Sequence, residues 1–104
     1  MSHRVEFAPE AVVQLAAIEE YIIDAGAPAS AVRYVDAIVA YCESLETFPE
    51  RGAKRDDLFP GLRIASYRGA AVIAFLVDAE REVVSILGVF YGGQDYEGMW
   101  SLDG

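Results

Sequence analysis

LRIASYRGAAVIAFLVDAEREVVSILGVFY, residues 62–91, decides the fold of this 104-residue chain. It holds three runs rich in β-branched and aromatic residues, about Leu62–Tyr67, Ala71–Val77 and Val83–Tyr91, and each reads as a strand. Arg68-Gly69 and the polar run Asp78–Glu82 are natural turns between them. A strand with one wet face alternates polar and apolar residues, and the last two runs do not. Val72, Ala74 and Leu76 are apolar, and so are Ile73, Phe75 and Val77. By plain alternation the final run puts Val83, Leu87 and Val89 on one face and Val84, Ile86 and Phe90 on the other. Both faces of this sheet need cover.

Upstream, His3–Phe7 alternates as a short strand does, with Val5 and Phe7 on one side. Pro9 suits the first turn of a helix, where a missing N–H costs nothing. Ala11, Leu15, Ile18 and Ile22 then share a face at helical spacing, with Glu10, Gln14 and Asp24 opposite. Gly26 is a stop signal. Pro28 opens a second helix, with an apolar stripe of Ala31, Val35, Ile38, Cys42 and Leu45, and Pro49 follows its end. The short connection makes the two helices an antiparallel hairpin. Residues 50–61 read as a charged loop closed by Pro60-Gly61. The order is β-α-α-β-β-β, an α+β domain with a helical hairpin on a small, mostly antiparallel sheet. The hairpin covers one face of that sheet. Either a partner covers the second face, or loop 50–61 and the C-terminal tail fold over it.

The composition fits one domain over residues 1–104, with about 98–104 a tail. The net charge of −9 opposes general nucleic-acid binding, which rests on phosphate neutralisation by Lys and Arg. No apolar run approaches a membrane span and the N-terminus lacks a signal-peptide core, so a cytoplasmic protein with no membrane contact is expected. The single cysteine, Cys42, excludes an internal disulfide. Five of the eight basic residues nevertheless fall together: Arg51, Lys54, Arg55, Arg63 and Arg68. Against Asp56 and Asp57 they make residues 51–68 a basic patch of +3 on an otherwise acidic body. Such a patch meets something negative.

Few residues suit catalysis. The single histidine, His3, sits at a strand end, and no Ser-His-Asp set, Cys-His pair or metal-ligand cluster is present. No metal or cofactor is expected. Arginine, lysine and tyrosine remain: Lys54, Arg55, Arg63, Arg68 and Tyr91 suit a phosphate clamp. The alternative is ordinary solvation, or pairing of the loop cations with Asp56 and Asp57. Arg63, on a face with Ala65 and Tyr67, needs a partner or a wet opening.

Leu15-x-x-Ile18-x-x-Tyr21-Ile22, Gly26-x-Pro28, Tyr34, Ile38 and Leu45-x-x-Phe48-Pro49-x-x-Gly52 together resemble the opening half of ParE toxins. Arg55-x-Asp57-Leu58, Pro60-Gly61-Leu62-Arg63, Tyr67, Val72-Ile73-Ala74-Phe75, Ile86-Leu87-x-Val89-x-Tyr91-Gly92 and Gln94-Asp95-Tyr96-Glu97 continue the likeness. It spans about residues 5–97 and reaches the wider RelE/ParE superfamily, whose fold has the same β-α-α-β-β-β order. The resemblance implies the toxin of a type II toxin–antitoxin system of the plasmid-stabilisation type. It implies a ParD-like antitoxin as partner in a hetero-oligomer, docking on Ile18, Tyr21, Ile22, Arg63, Tyr67, Arg68, Val89 and Tyr91. ParE members are held to poison DNA gyrase by binding, without catalysis. The alternatives are a RelE-like ribosome-dependent mRNA endoribonuclease using Lys54, Arg55, Arg63 and Tyr91, and an antitoxin-binding member without toxicity. Phe90 stands where several of the ribonucleases have a histidine, and their late arginine is missing.

Overall fold

A computed structural model describes residues 3–93 and 96–100. The elements are β1 (Arg4–Phe7), α1 (Pro9–Asp24), α2 (Pro28–Ser44), β2 (Ala53–Lys54), β3 (Arg63–Tyr67), β4 (Ala71–Asp78), β5 (Val83–Tyr91) and a 3-10 turn, Glu97–Trp100. The five strands form one sheet in the order β1-β5-β4-β3-β2. β1 runs parallel to β5, and all other neighbours are antiparallel. Both helices begin on their prolines, and Gly26 leaves α1 at φ +92°, a conformation that costs glycine little. Among the described residues no helix is long and apolar enough to cross a membrane.

The helical hairpin packs on one face of the sheet. Ala11, Leu15 and Ile18 of α1 and Ile38, Cys42 and Leu45 at α2 meet Ala65, Ile73, Phe75, Val84, Ile86 and Val89. The helix-facing residues of β5 depart from simple alternation. Phe75 pairs with Ile86 and Ala74 with Gly88, so Leu87 is an extra residue in β5, a β-bulge. The bulge reverses the parity of the strand. Val84, Ile86, Val89 and Tyr91 face the helices, while Leu87 and Phe90 join the opposite cluster. Val89 and Phe90 thus stand on the faces opposite to those expected from period two.

The bulge also explains Gln14, which the helical pattern placed on the solvent side. Its side chain is half-buried, and its Oε1 accepts the Val89 N–H at 2.7 Å. A side chain at residue 88 would meet both the Phe90 ring at 2.9 Å and Gln14 Oε1 at 3.2 Å, which makes glycine the fitting residue there.

The second face of the sheet is closed by the chain itself. Leu62, Ile64, Ala74 and Phe90 are buried there, with Leu58, Val72, Leu76, Leu87 and Tyr96 packed around them. Of the two ways to cover this face, self-coverage by the loop and the C-terminal segment is the one adopted. The loop is also more structured than expected. Its Ala53 and Lys54 pair with Ile64 and Arg63 as β2. Gly52, at φ +77°, lets the backbone turn hard against β3, where an added Cβ would lie 2.3 Å from the Ile64 carbonyl oxygen.

One side chain fastens this cover. Arg55 Nε and Nη2 donate to Asp57 at 2.9 and 2.8 Å. Nη2 also reaches Glu97 at 2.8 Å, and Nη1 donates to the Tyr96 hydroxyl at 3.2 Å. The hydrogen bonds from Arg55 hold the Asp57 carboxyl below the usual carboxylate range. Asp56 is used differently, its Oδ1 accepting the Gly61 N–H at 2.8 Å to close the turn.

Candidate functional site

Asp56 and Asp57 are thus engaged within the loop, and four cations of the basic patch pair with neither. Among the described residues, Arg51, Lys54, Arg63 and Arg68 have no carboxylate partner. They lie along one continuous path. The Arg68 guanidinium sits 5.4 Å from the Tyr67 ring centroid, and Tyr67 is 5.1 Å from Tyr41. Tyr41 is in turn 5.5 Å from the Arg51 guanidinium, which also lies 5.1 Å from the Phe48 ring. The Arg51 carbonyl accepts Arg63 Nε at 3.1 Å, and the Glu50 carbonyl accepts Arg63 Nη2 at 2.6 Å. Lys54 is the cross-strand partner of Arg63. The partner that Arg63 needed is therefore backbone: it pins the chain leaving α2 onto the sheet.

From Tyr67 an aromatic ladder continues the other way. Tyr34 lies 6.5 Å from Tyr67 and 5.5 Å from Tyr91, and Tyr91 is 5.8 Å from Tyr21. Tyr21 and Tyr91 border an open groove of about 370 Å³ with Gln14, Ala17, Ile18 and Gly92. The groove end is apolar and the stripe end basic. Burial, with the neighbouring phenols of Tyr91 and Tyr67, raises the Tyr34 hydroxyl above the ordinary tyrosine range, and Arg68 opposes that rise.

The residues named as antitoxin contacts divide by accessibility. Tyr21 is 64% exposed, Arg68 is exposed, and Ile22, Arg63, Tyr67 and Tyr91 are half-buried. Ile18, at 4%, shows only an edge to the groove, and Val89, at 0%, offers nothing to a partner in this conformation. Val89 is withdrawn because the bulge turns it under the helices. Exposed apolar surface instead includes Val12, Val13 and Phe48. Phe48 flanks the stripe, and its position just past a helix end, before Pro49, is the sign of it in the sequence. Tyr34 and Tyr41 join the ladder from α2, where period 3.6 marks residues for packing but does not name their neighbours.

The four residues of the ribonuclease alternative, Lys54, Arg55, Arg63 and Tyr91, are not brought together. Lys54 and Arg63 adjoin, but Arg55 is committed to Asp57, Glu97 and Tyr96. Tyr91 aligns through Ala71 with Tyr67, the far end of β3 from Arg63. At about 3.3 Å per residue, that is roughly 13 Å along the strand. Of the ending Gly92-x-Gln94-Asp95-Tyr96-Glu97, Gln94 and Asp95 lie outside the described residues.

Comparison with known proteins agrees with this architecture. The chain resembles the chromosomal ParDE toxin–antitoxin system from P. aeruginosa, with a TM-score of 0.73 at 22% identity, covering 86% of this chain and 96% of that one. It also resembles the toxin–antitoxin complex RelBE2 from Mycobacterium tuberculosis, with a TM-score of 0.64 at 21% identity over 88% and 100% of the two chains. A mutant of E. coli toxin RelE in the free state gives a TM-score of 0.67 at 12% identity over 99% and 97%. Among curated proteins nothing matches. The family model of the ParE toxin of the type II toxin–antitoxin system parDE matches residues 5–96. With two helices on a five-stranded, mostly antiparallel sheet and that match over nearly its whole length, the chain belongs to the ParE family of type II toxins.

Proposed function

We propose that this toxin is held inactive in the cytoplasm by a ParD-like antitoxin lying across the groove and the basic stripe, and that when free it inhibits DNA gyrase by binding, not by catalysis. The observation that carries the antitoxin reading is the row of Arg51, Lys54, Arg63 and Arg68, uncompensated by any carboxylate among the described residues, running into an apolar groove. An extended segment with apolar anchors at one end and acidic residues at the other complements it in both respects. The P. aeruginosa likeness, a ParDE system, supports the same partner class.

Binding without catalysis is supported by the dispersal of the candidate phosphate-clamp residues. The test is purified toxin with gyrase and plasmid. Inhibited supercoiling with accumulation of a cleaved gyrase–DNA complex is expected. Unchanged supercoiling and no cleaved complex overturn the proposed target.

The juxtaposition of Lys54 and Arg63 across β2 and β3 favours a second reading, mRNA cleavage on the ribosome. It requires wild-type cleavage in a translating extract that Arg63→Ala abolishes; no cleavage by wild type ends it. Growth arrest without antitoxin separates both readings from a non-toxic family member.

A further inference from the structure

The Tyr34 hydroxyl is sealed from solvent and makes no hydrogen bond. A buried O–H without an acceptor is costly, and phenylalanine would fill the same space without that cost. The packing of the ring against Tyr67 and Tyr91 therefore does not account for the oxygen. The neighbourhood indicates the acceptor it lacks. Arg68, exposed on the β3–β4 turn at φ +50°, lies over the Tyr67 ring. Tyr34 packs against that same Tyr67 ring, with centroids 6.5 Å apart, and Arg68 has no carboxylate partner among the described residues.

The geometry points to a notch in which the Arg68 guanidinium and the Tyr34 hydroxyl, walled by the Tyr67 ring, take one Asp or Glu carboxylate from a bound protein segment. The guanidinium and the phenol each donate to a carboxylate oxygen, giving charge-assisted bonds. The hydroxyl is sealed in the free chain, so the notch opens only as the segment binds, with the exposed Arg68 side chain turning to meet the carboxylate. A nucleic-acid phosphate would present the same oxygens. It arrives in a chain of further phosphates, however, and the body outside residues 51–68 is strongly acidic. A peptide carboxylate brings one charge to one arginine. This assignment rests on the reading of the face as the antitoxin's, and it names the chemistry of a single anchor within it. It also gives a binding role to Tyr34, a residue whose helical position marks it only for packing.

The test uses the full chain with carbon-13-labelled tyrosine rings, observed by NMR. The probes are the capped tripeptide Ala-Glu-Ala, its Ala-Gln-Ala counterpart and inorganic phosphate. The Glu peptide should shift the Tyr34 and Tyr67 resonances saturably at millimolar concentration, and the Gln peptide should not. Arg68→Gln should remove the response. Tyr34→Phe should weaken it about tenfold, as expected for a hydrogen bond to a charged group, while melting no lower than wild type. Absence of a saturable shift, an equal response to the Gln peptide, or tighter binding of phosphate overturns the assignment. Because no antitoxin enters the assay, such failure leaves antitoxin docking untouched. Conversely, a toxin that saturates with the Glu peptide but binds no antitoxin keeps the notch and loses the docking reading.

Discussion

Gln14 Oε1 on the first helix accepts the Val89 N–H of the last strand at 2.7 Å, where the Leu87 bulge disturbs the ladder. The parallel neighbour β1 pairs with β5 only as far as Phe7 and Ile86, and beyond it a helix side chain takes the strand N–H, which ties α1 beside the groove it lines. Replacing Gln14 with Leu leaves a half-buried amide unpaired, which costs about 1–3 kcal/mol. The expected result is a melting temperature lower by several degrees and faster hydrogen exchange at Val89. An unchanged Val89 exchange rate contradicts this role.

Gly52 tests the approach of the loop to the sheet. An added Cβ would fall 2.3 Å from the Ile64 carbonyl oxygen, on a backbone at φ +77°. Gly52→Ala should therefore destabilise the fold by on the order of 3 kcal/mol, read as a lower urea midpoint. The same change at Gly69, where nothing lies within 4 Å, meets only the strain of its positive φ and should cost less.

The Arg55 clasp predicts an acid-sensitive cover. The Asp57 carboxyl is held below its ordinary range, first by its hydrogen bonds to Arg55. A depressed carboxylate contributes stability above its unfolded pKa, about 3.9, and that contribution disappears as pH falls through the folded value. The effect on global stability should be small, because the pair is exposed. The local effect is what matters: Arg55→Ala, or acidification below about pH 4, should lower exchange protection at Tyr96 and Glu97 while the helix core stays protected.

Cys42 is sealed in the core between α2 and the sheet, and burial pushes its thiol up to about 12. Thiolate is the reactive form, so a disulfide reagent at pH 8 should leave the folded chain unmodified and react fully once it is unfolded in guanidinium.

Most of the architecture was legible in the sequence because it depends on local pattern. Pro9, Gly26 and Pro28 mark helix boundaries, and the three runs from Leu62 to Tyr91 mark strands. The parity of β5 was not legible by alternation, since Leu87 and Gly88 are both apolar and one extra residue leaves the pattern continuous. Gly88 inside a strand was the available sign of a bulge. β2 is too short for period two to register. The site was legible in composition but not in arrangement. The clustering of Arg51, Lys54, Arg55, Arg63 and Arg68 is visible in the sequence. Which of them Asp57, Glu97 or a backbone carbonyl would occupy depends on contacts up to 42 residues apart along the chain, and those emerge only on folding.

The most direct test of the account is the affinity of the toxin for its ParD-like antitoxin after charge reversal at single positions. Arg51→Glu and Arg68→Glu, on the uncompensated stripe, should each weaken binding about 10- to 100-fold, more strongly at low salt. Arg81→Glu, in the β4–β5 turn away from the stripe, should change it little. Equal affinities for wild type, Arg51→Glu and Arg68→Glu would contradict the claim that the aromatic and basic face receives the antitoxin.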